Sequence, residues 1–280
     1  MSTNIKNAWN AWSDGYYQKH VPEHTINRIK ENPWRAFPSV VRDMLQSAFA
    51  DFRGLNVLVP SSGDNCAVIA FHLLGAQVTS ADISERQLAN AKQVTDANGW
   101  DIAYLCADSM TLEGVPDGAY DLVYTSNGVH VWIDDLPAMY RNFHRVLKPD
   151  GHYIMYEVHP FHRPFADESP RKRPGKETNP SAFEQKMPPV KVIKPYDEIL
   201  IPGDPENYHW RVQDFVNGMT GQGLQIEHME EFRTEADSEL FLWWYQSAAE
   251  AEADGYQKLD WKHNPMAALP DWIGISAKKD

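Results

Sequence analysis

Cysteine is scarce in this chain of 280 residues: there are two, Cys66 and Cys106. Two thiols allow no disulfide framework and no cysteine metal cluster. Both sit among apolar neighbours and read as buried structural thiols. Long apolar runs are also missing. No stretch of about 18 apolar residues occurs, so no spanning helix is expected. Met1 to Trp12 is polar and aromatic and lacks the apolar segment of a secretion signal. Positive charge is in the minority, with 26 Lys and Arg against 39 Asp and Glu, a formal net charge of −13 and a pI near 5.3. Such a balance repels polyanions, so nucleic acid is not an expected partner. These absences together point to the cytoplasm, with no membrane association.

What is present is a hydrophobic content of 42%, enough for the core of one large α/β domain with additions. Residues 1–54 read as an N-terminal helical extension or lid. Trp9, Trp12, Tyr16 and Tyr17 would cluster on one surface there, and Val41, Leu45, Ala48 and Phe52 follow a helical period. Residues 55–160 then alternate short apolar runs with helical segments. Strands are expected at 55–59, 77–81, 102–106, 120–125 and 153–158. Asp64 or Asn65, Ser84, and Asp134 or Asp135 are placed to cap the helices between them, and Gly75, Asn98-Gly99 and Pro149 to stop them. Strands separated by helices imply parallel crossovers and a doubly wound sheet.

From Pro160 to Pro205 the texture changes, with ten of the nineteen prolines. Between Arg163 and Lys194 eight Lys and Arg face four Asp and Glu. Residues 161–205 therefore read as a basic, Pro-rich insert, either an ordered cap or a partly mobile one. In residues 206–280 a helix is expected from Tyr208 to Met219 and strands at 224–228 and 271–277. Residues 235–256 are expected to form a helical insert with an aromatic face.

The residues that carry chemistry fall at the strand ends. Ser61-Ser62-Gly63 follows the first strand, where small residues let backbone N–H groups approach a ligand. Asp82 and Ile83 follow the second, Asp108-Ser109-Met110 the third, and Ser126-Asn127-Gly128-Val129-His130 the fourth. Leu147-Lys148-Pro149-Asp150-Gly151 leads into the fifth. In this order the chain resembles the class I S-adenosylmethionine-dependent methyltransferases of the small-molecule type, over roughly residues 55–160.

The resemblance implies an α/β fold, a doubly wound, mostly parallel seven-stranded sheet with an antiparallel terminal strand, here with added cap segments. It also implies S-adenosylmethionine as cofactor and a small-molecule methyl acceptor. In such a family Asp82 would accept from the ribose hydroxyls, and Asp108 from the adenine amino group, with Ser109 and Met110 flanking the ring. Ser126 and Asn127 would border the sulfonium. Read without the family, Asp82 could cap the following helix, a role to which Ser84 is already suited, and Met110 could equally be a core methionine.

The first turn departs from the family pattern. Val59 stands at the usual acidic position, Ser61 and Asn65 at the outer glycines, and only Gly63 remains. Asp64 is placed to supply the missing carboxylate. For an acceptor that must lose a proton, His130, His159 and His209 are the candidate catalytic bases, with Glu157 beside them. Two other functions compete. One is a binding module that kept the fold without catalysis, which the glycine-poor turn motivates. The other is a nicotinamide-dependent oxidoreductase, against which stands the missing Gly-x-Gly-x-x-Gly loop. The acceptor atom and the oligomeric state are not assigned by any of these residues.

Overall fold

Apolar residues alternate along the central strands, and each set enters a different helical layer. The computed structural model, which describes residues 2–63, 66–162, 208, 210–235, 245 and 248–280, shows this at β1 (Asn56–Pro60). There Val57 and Val59 join one core and Leu58 the other. Strands β2 (Gln77–Asp82), β3 (Ala103–Cys106), β4 (Tyr120–Thr125) and β5 (Leu147–Val158) run parallel with it. With β6 (Leu224–Phe232) and β7 (Trp272–Lys279) they form one sheet in the order β3-β2-β1-β4-β5-β7-β6. Among the described strands β7, the last in sequence, alone runs antiparallel to its neighbours. The expected doubly wound, mostly parallel seven-stranded α/β sheet is present.

Among the described residues the α-helices are α1 (Ser2–His20), α2 (Glu23–Glu31), α3 (Ser39–Ala48), α4 (Cys66–Leu73), α5 (Glu85–Asn98), α6 (Leu136–Val146), α7 (Val212–Thr220) and α8 (Ala248–Asp254). One face of the sheet is covered by α3 and α4 through Val41, Leu45, Ile69 and Phe71. The other is covered by α6 and α7 through Tyr140, Phe143, Phe215 and Met219. Local sequence explains several ends. The Ser84 hydroxyl accepts from Gln87 N at the start of α5, and Gly99 closes that helix at φ 69°. Asp135 accepts from Ala138 N at the start of α6. The helix expected from Tyr208 begins at Val212, where Asp214 Oδ2 receives the backbone N–H of Arg211 at 2.9 Å.

Three details differ from expectation. The turn Leu147–Gly151 belongs to β5 itself. Leu147 pairs with Tyr120 and His152 with Leu122, so the residues between bulge out. Pro149 fits there because a bulged residue need not donate to the ladder, and Asp150 takes φ 62°. Gly151 is required by space: a Cβ would stand 2.9 Å from Lys148 O and 3.2 Å from Tyr120 O. Second, β6 continues to Phe232, past the expected His228. Third, only Cys66 is buried. Cys106 is exposed because β3 is an edge strand; its thiol faces Ile83 O at 3.6 Å. Apart from residues 161 and 162, the basic insert 161–205 lies outside the described residues, as does most of the expected aromatic helix before α8. No helix among the described residues is long and apolar enough to cross a membrane.

Candidate active site

At β1 and β4 the strand order reverses direction, and a crevice opens beyond the carboxyl ends of the two strands. A cleft of about 760 Å³, mouth included, occupies this position.

The first turn forms its floor. Ser61 and Gly63 line the cleft, and Ser61 holds φ 50°. A non-glycine residue there retains the left-handed backbone that glycine would give. Its hydroxyl lies 2.7 Å from that of Ser109, which ties the first turn to the loop after β3. Ser62 turns the other way. It is buried, and its hydroxyl accepts from Ser80 Oγ at 2.9 Å inside the sheet, so it does not line the cleft. Asp64 lies outside the described residues.

Asp82 and Ile83 line the next wall. Asp82 Oδ1 accepts from Ser84 N at 2.9 Å, and Oδ2 faces Gly63 N at 3.5 Å. Burial, only partly offset by these backbone donors, pushes its carboxyl up to about 6. The helix cap is Ser84, leaving Asp82 as a buried acceptor at the cleft. Asp108, Ser109 and Met110 follow along the same wall. Asp108 Oδ1 accepts from Met110 N at 2.9 Å, which fixes the loop and sets the carboxylate at the cleft edge.

Ser126 and Asn127 close the far side together with Gly128, Val129, Trp132 and Ile133. This loop is tied down from several directions. Trp210 Nε1 donates to His130 O and Ile133 O at 3.1 and 3.0 Å, and Tyr208 N donates to Val131 O at 2.7 Å.

The roof is α1, which contributes Ile5, Trp9 and Tyr16. Its polar side is zipped to the start of α5. Asn10 Oδ1 accepts from Ser84 Oγ and Arg86 N at 2.7 and 3.1 Å, Asp14 binds Arg86 at 2.7 and 2.9 Å, and Lys6 pairs with Glu85. The other anchor is aromatic. Trp9 meets Trp12, Tyr16 and Trp132 edge to face at 5.6, 5.4 and 5.6 Å between centroids. The spacing of these aromatic residues was visible in the sequence; that they face a cleft was not. Gln87 of α5 is a further lining residue without a sequence signal.

Neither His130 nor His159 lines the cleft. His130 is buried on the α6/α7 side, 5.0 Å from the Phe215 ring, with Nδ1 held at 3.0 Å by Glu157 Oε2. The preceding turn directs its side chain under the loop instead of into the opening. His159 is fully buried. Its Nδ1 accepts from Phe161 N at 3.1 Å, so Nε2 carries the proton and donates to Glu231 at 2.8 Å. His159 ties β5 to β6. His209 lies outside the described residues. Glu157 is likewise buried beneath the loop and absent from the lining. Among the described residues no His, Lys, Arg or Glu side chain lines the cleft.

Residues 60–155 match the family model described as a methyltransferase domain. A demethylmenaquinone methyltransferase of Thermus thermophilus is 32% identical over 103 residues, 37% of this chain and 46% of that one. The uncharacterized methyltransferase YbaJ of Bacillus subtilis is 25% identical over 140 residues, 50% of this chain and 54% of its own. The matched region thus spans about half the length of these curated relatives. An S-adenosylmethionine dependent methyltransferase from Mesorhizobium loti, 23% identical, shares the fold with a TM-score of 0.55 over 86% of this chain and 96% of its own.

Proposed function

From the premise that this chain carries a class I methyltransferase domain, we propose that it uses S-adenosylmethionine to methylate a small molecule by in-line displacement. The observation that carries this reading is the placement of two carboxylates, Asp82 and Asp108, on one wall of one cleft. Asp82 pairs in register with Cys106 of β3, and Asp108 lies two residues beyond. A buried carboxylate whose bonds come from backbone N–H groups is suited to neutral donors such as ribose hydroxyls. In this reading Asp108 receives the adenine amino group, Ile83 and Met110 flank the ring, and the Ser61–Gly63 turn accommodates the amino-acid end. When bound, the cofactor supplies a methyl group on a positively charged sulfur, which is the electrophile.

The domain's own contribution is then orientation and the exclusion of water. The roof α1 supports that role, with residues 1–54 acting as a lid. Trp9, Trp132, Val129 and Ile133 give part of the cleft an apolar lining. That lining supports a largely apolar acceptor, as does the name of the Thermus relative. The net charge of −13 supports an acceptor other than nucleic acid, and the two free thiols support a reducing cytoplasm. The binding-module alternative rests on the glycine-poor first turn. Ser61 weakens it, because the left-handed conformation survives the loss of the glycine.

Calorimetry with S-adenosylhomocysteine tests the reading. One molecule should bind per chain, and Asp82→Asn should weaken binding by about 10-fold or more, since hydrogen bonds to a charged acceptor are lost. No binding to the unaltered protein at millimolar ligand would overturn it. Transfer of labelled methyl from the cofactor to a panel of small acceptors separates an enzyme from a binding module.

A further inference from the structure

We infer that Tyr156 and Glu157 are positioning residues that set the loop 126–130 for the reaction proposed above; the inference rests on that reading of the cleft. The two residues are adjacent on β5 and so point to opposite faces of the sheet. Ile154, Tyr156 and Val158 enter the layer under α3 and α4, and Tyr153 and Met155 the layer under α6 and α7. Glu157 follows the second set. From these two sides both reach the same loop.

Tyr156 OH donates to Asn127 Oδ1 at 3.0 Å. Glu157 Oε1 accepts from Gly128 N at 2.7 Å and Val158 N at 2.8 Å. Its Oε2 accepts from His130 N and His130 Nδ1, each at 3.0 Å. Glu157 is 1% exposed. A carboxylate so placed is costly in an apolar layer unless every oxygen is engaged. Here both oxygens are engaged, and two of the four donors are loop amides. Through these bonds one side chain holds the loop at two backbone amides and one imidazole ring.

The consequence for the cleft is a defined polarity. Asn127 Oδ1 is committed to Tyr156, which leaves its Nδ2 amino group to face a ligand oxygen in the cleft that Asn127 lines. Gly128 stands at φ 82° with open space where a Cβ would be, so its backbone borders the cleft directly. His130 takes part as a donor to Glu157, under the loop. The clamp converts the end of one strand into the shape of the neighbouring strand's ligand loop.

The test compares the unaltered protein with Tyr156→Phe and Glu157→Gln. Glutamine keeps one acceptor oxygen and replaces the other with an amino group that cannot accept. Amide hydrogen exchange at Gly128 and His130 should speed up by about 10-fold or more in Glu157→Gln, with the Tyr124 amide of β4 unchanged. S-adenosylhomocysteine should bind about 10-fold more weakly to Glu157→Gln, and about 3-fold or more to Tyr156→Phe. A shift confined to melting temperature, with loop exchange and affinity as in the unaltered protein, would overturn the clamp. Should Glu157→Gln not fold, Tyr156→Phe carries the same comparison. An unaltered protein that fails to bind the ligand overturns the functional reading instead, and the exchange rates still decide the clamp.

Discussion

Replacing Asp82 by asparagine should make the ligand-free protein more stable while weakening its ligand binding. The carboxyl is raised from the ordinary 3.8 to about 6 because burial disfavours its charge. That rise corresponds to about 3 kcal/mol. A raised carboxyl means that the folded chain holds the proton more tightly than the unfolded chain. Below pH 3.8 both states are protonated and the site costs nothing. Stability contributed by the site falls as pH rises from there through about 6, and above that the full cost is present. Asparagine carries no charge and keeps an acceptor for Ser84 N, while its amino group would oppose Gly63 N, now 3.5 Å from Oδ2. That mismatch returns about 1 kcal/mol. The variant should therefore gain about 2 kcal/mol at pH 8, a rise of several degrees in melting temperature for a chain of this size, and be slightly less stable than the parent at pH 4, where the amide mismatch outweighs the small charge cost that remains. Denaturant titrations at the two pH values measure it. An Asp82→Asn protein less stable than the parent at pH 8, or a difference independent of pH, would refute the reasoning.

The remaining expectations follow from neighbouring observations. Affinity of the unaltered protein for S-adenosylhomocysteine should fall as pH drops through about 6, the region where Asp82 protonates, and calorimetry should show no such bend in Asp82→Asn. Trp9→Ala removes three edge-to-face contacts from the roof; at about 1 kcal/mol each, amide exchange across α1 should accelerate by about 100-fold while the sheet is unaffected. Gly151→Ala forces a Cβ against backbone at 2.9 Å and should cost about 2–3 kcal/mol in denaturant unfolding.

Much of the scaffold was legible because it is written in local periods. The parallel strands, the Ser84 and Asp135 caps and the helix stop before Leu147 all depend on residues within a few positions of one another. Asp82 and Asp108 could be placed because a strand end has only one location in a doubly wound sheet. Side-chain direction beyond the strand ends was less accessible. His130 follows the loop after β4 closely enough to look like part of the cleft, yet its side chain is held by Glu157, distant in sequence. Ser62 has the composition of a ligand residue, but pairing with Ser80 across the sheet turns it inward. Cys106 reads as apolar and buried until the strand order makes β3 an edge. The roof was hidden for a similar reason. Aromatic spacing in α1 marks a face, while what the face meets depends on Trp132 and α5.

A crystal structure with S-adenosylhomocysteine soaked into the protein tests the central claim most directly. The account places the ribose hydroxyls on the Asp82 carboxylate and the adenine ring beside Asp108, Ile83 and Met110, beneath α1. A ligand bound elsewhere, or a cleft in which neither carboxylate touches it, would contradict the account.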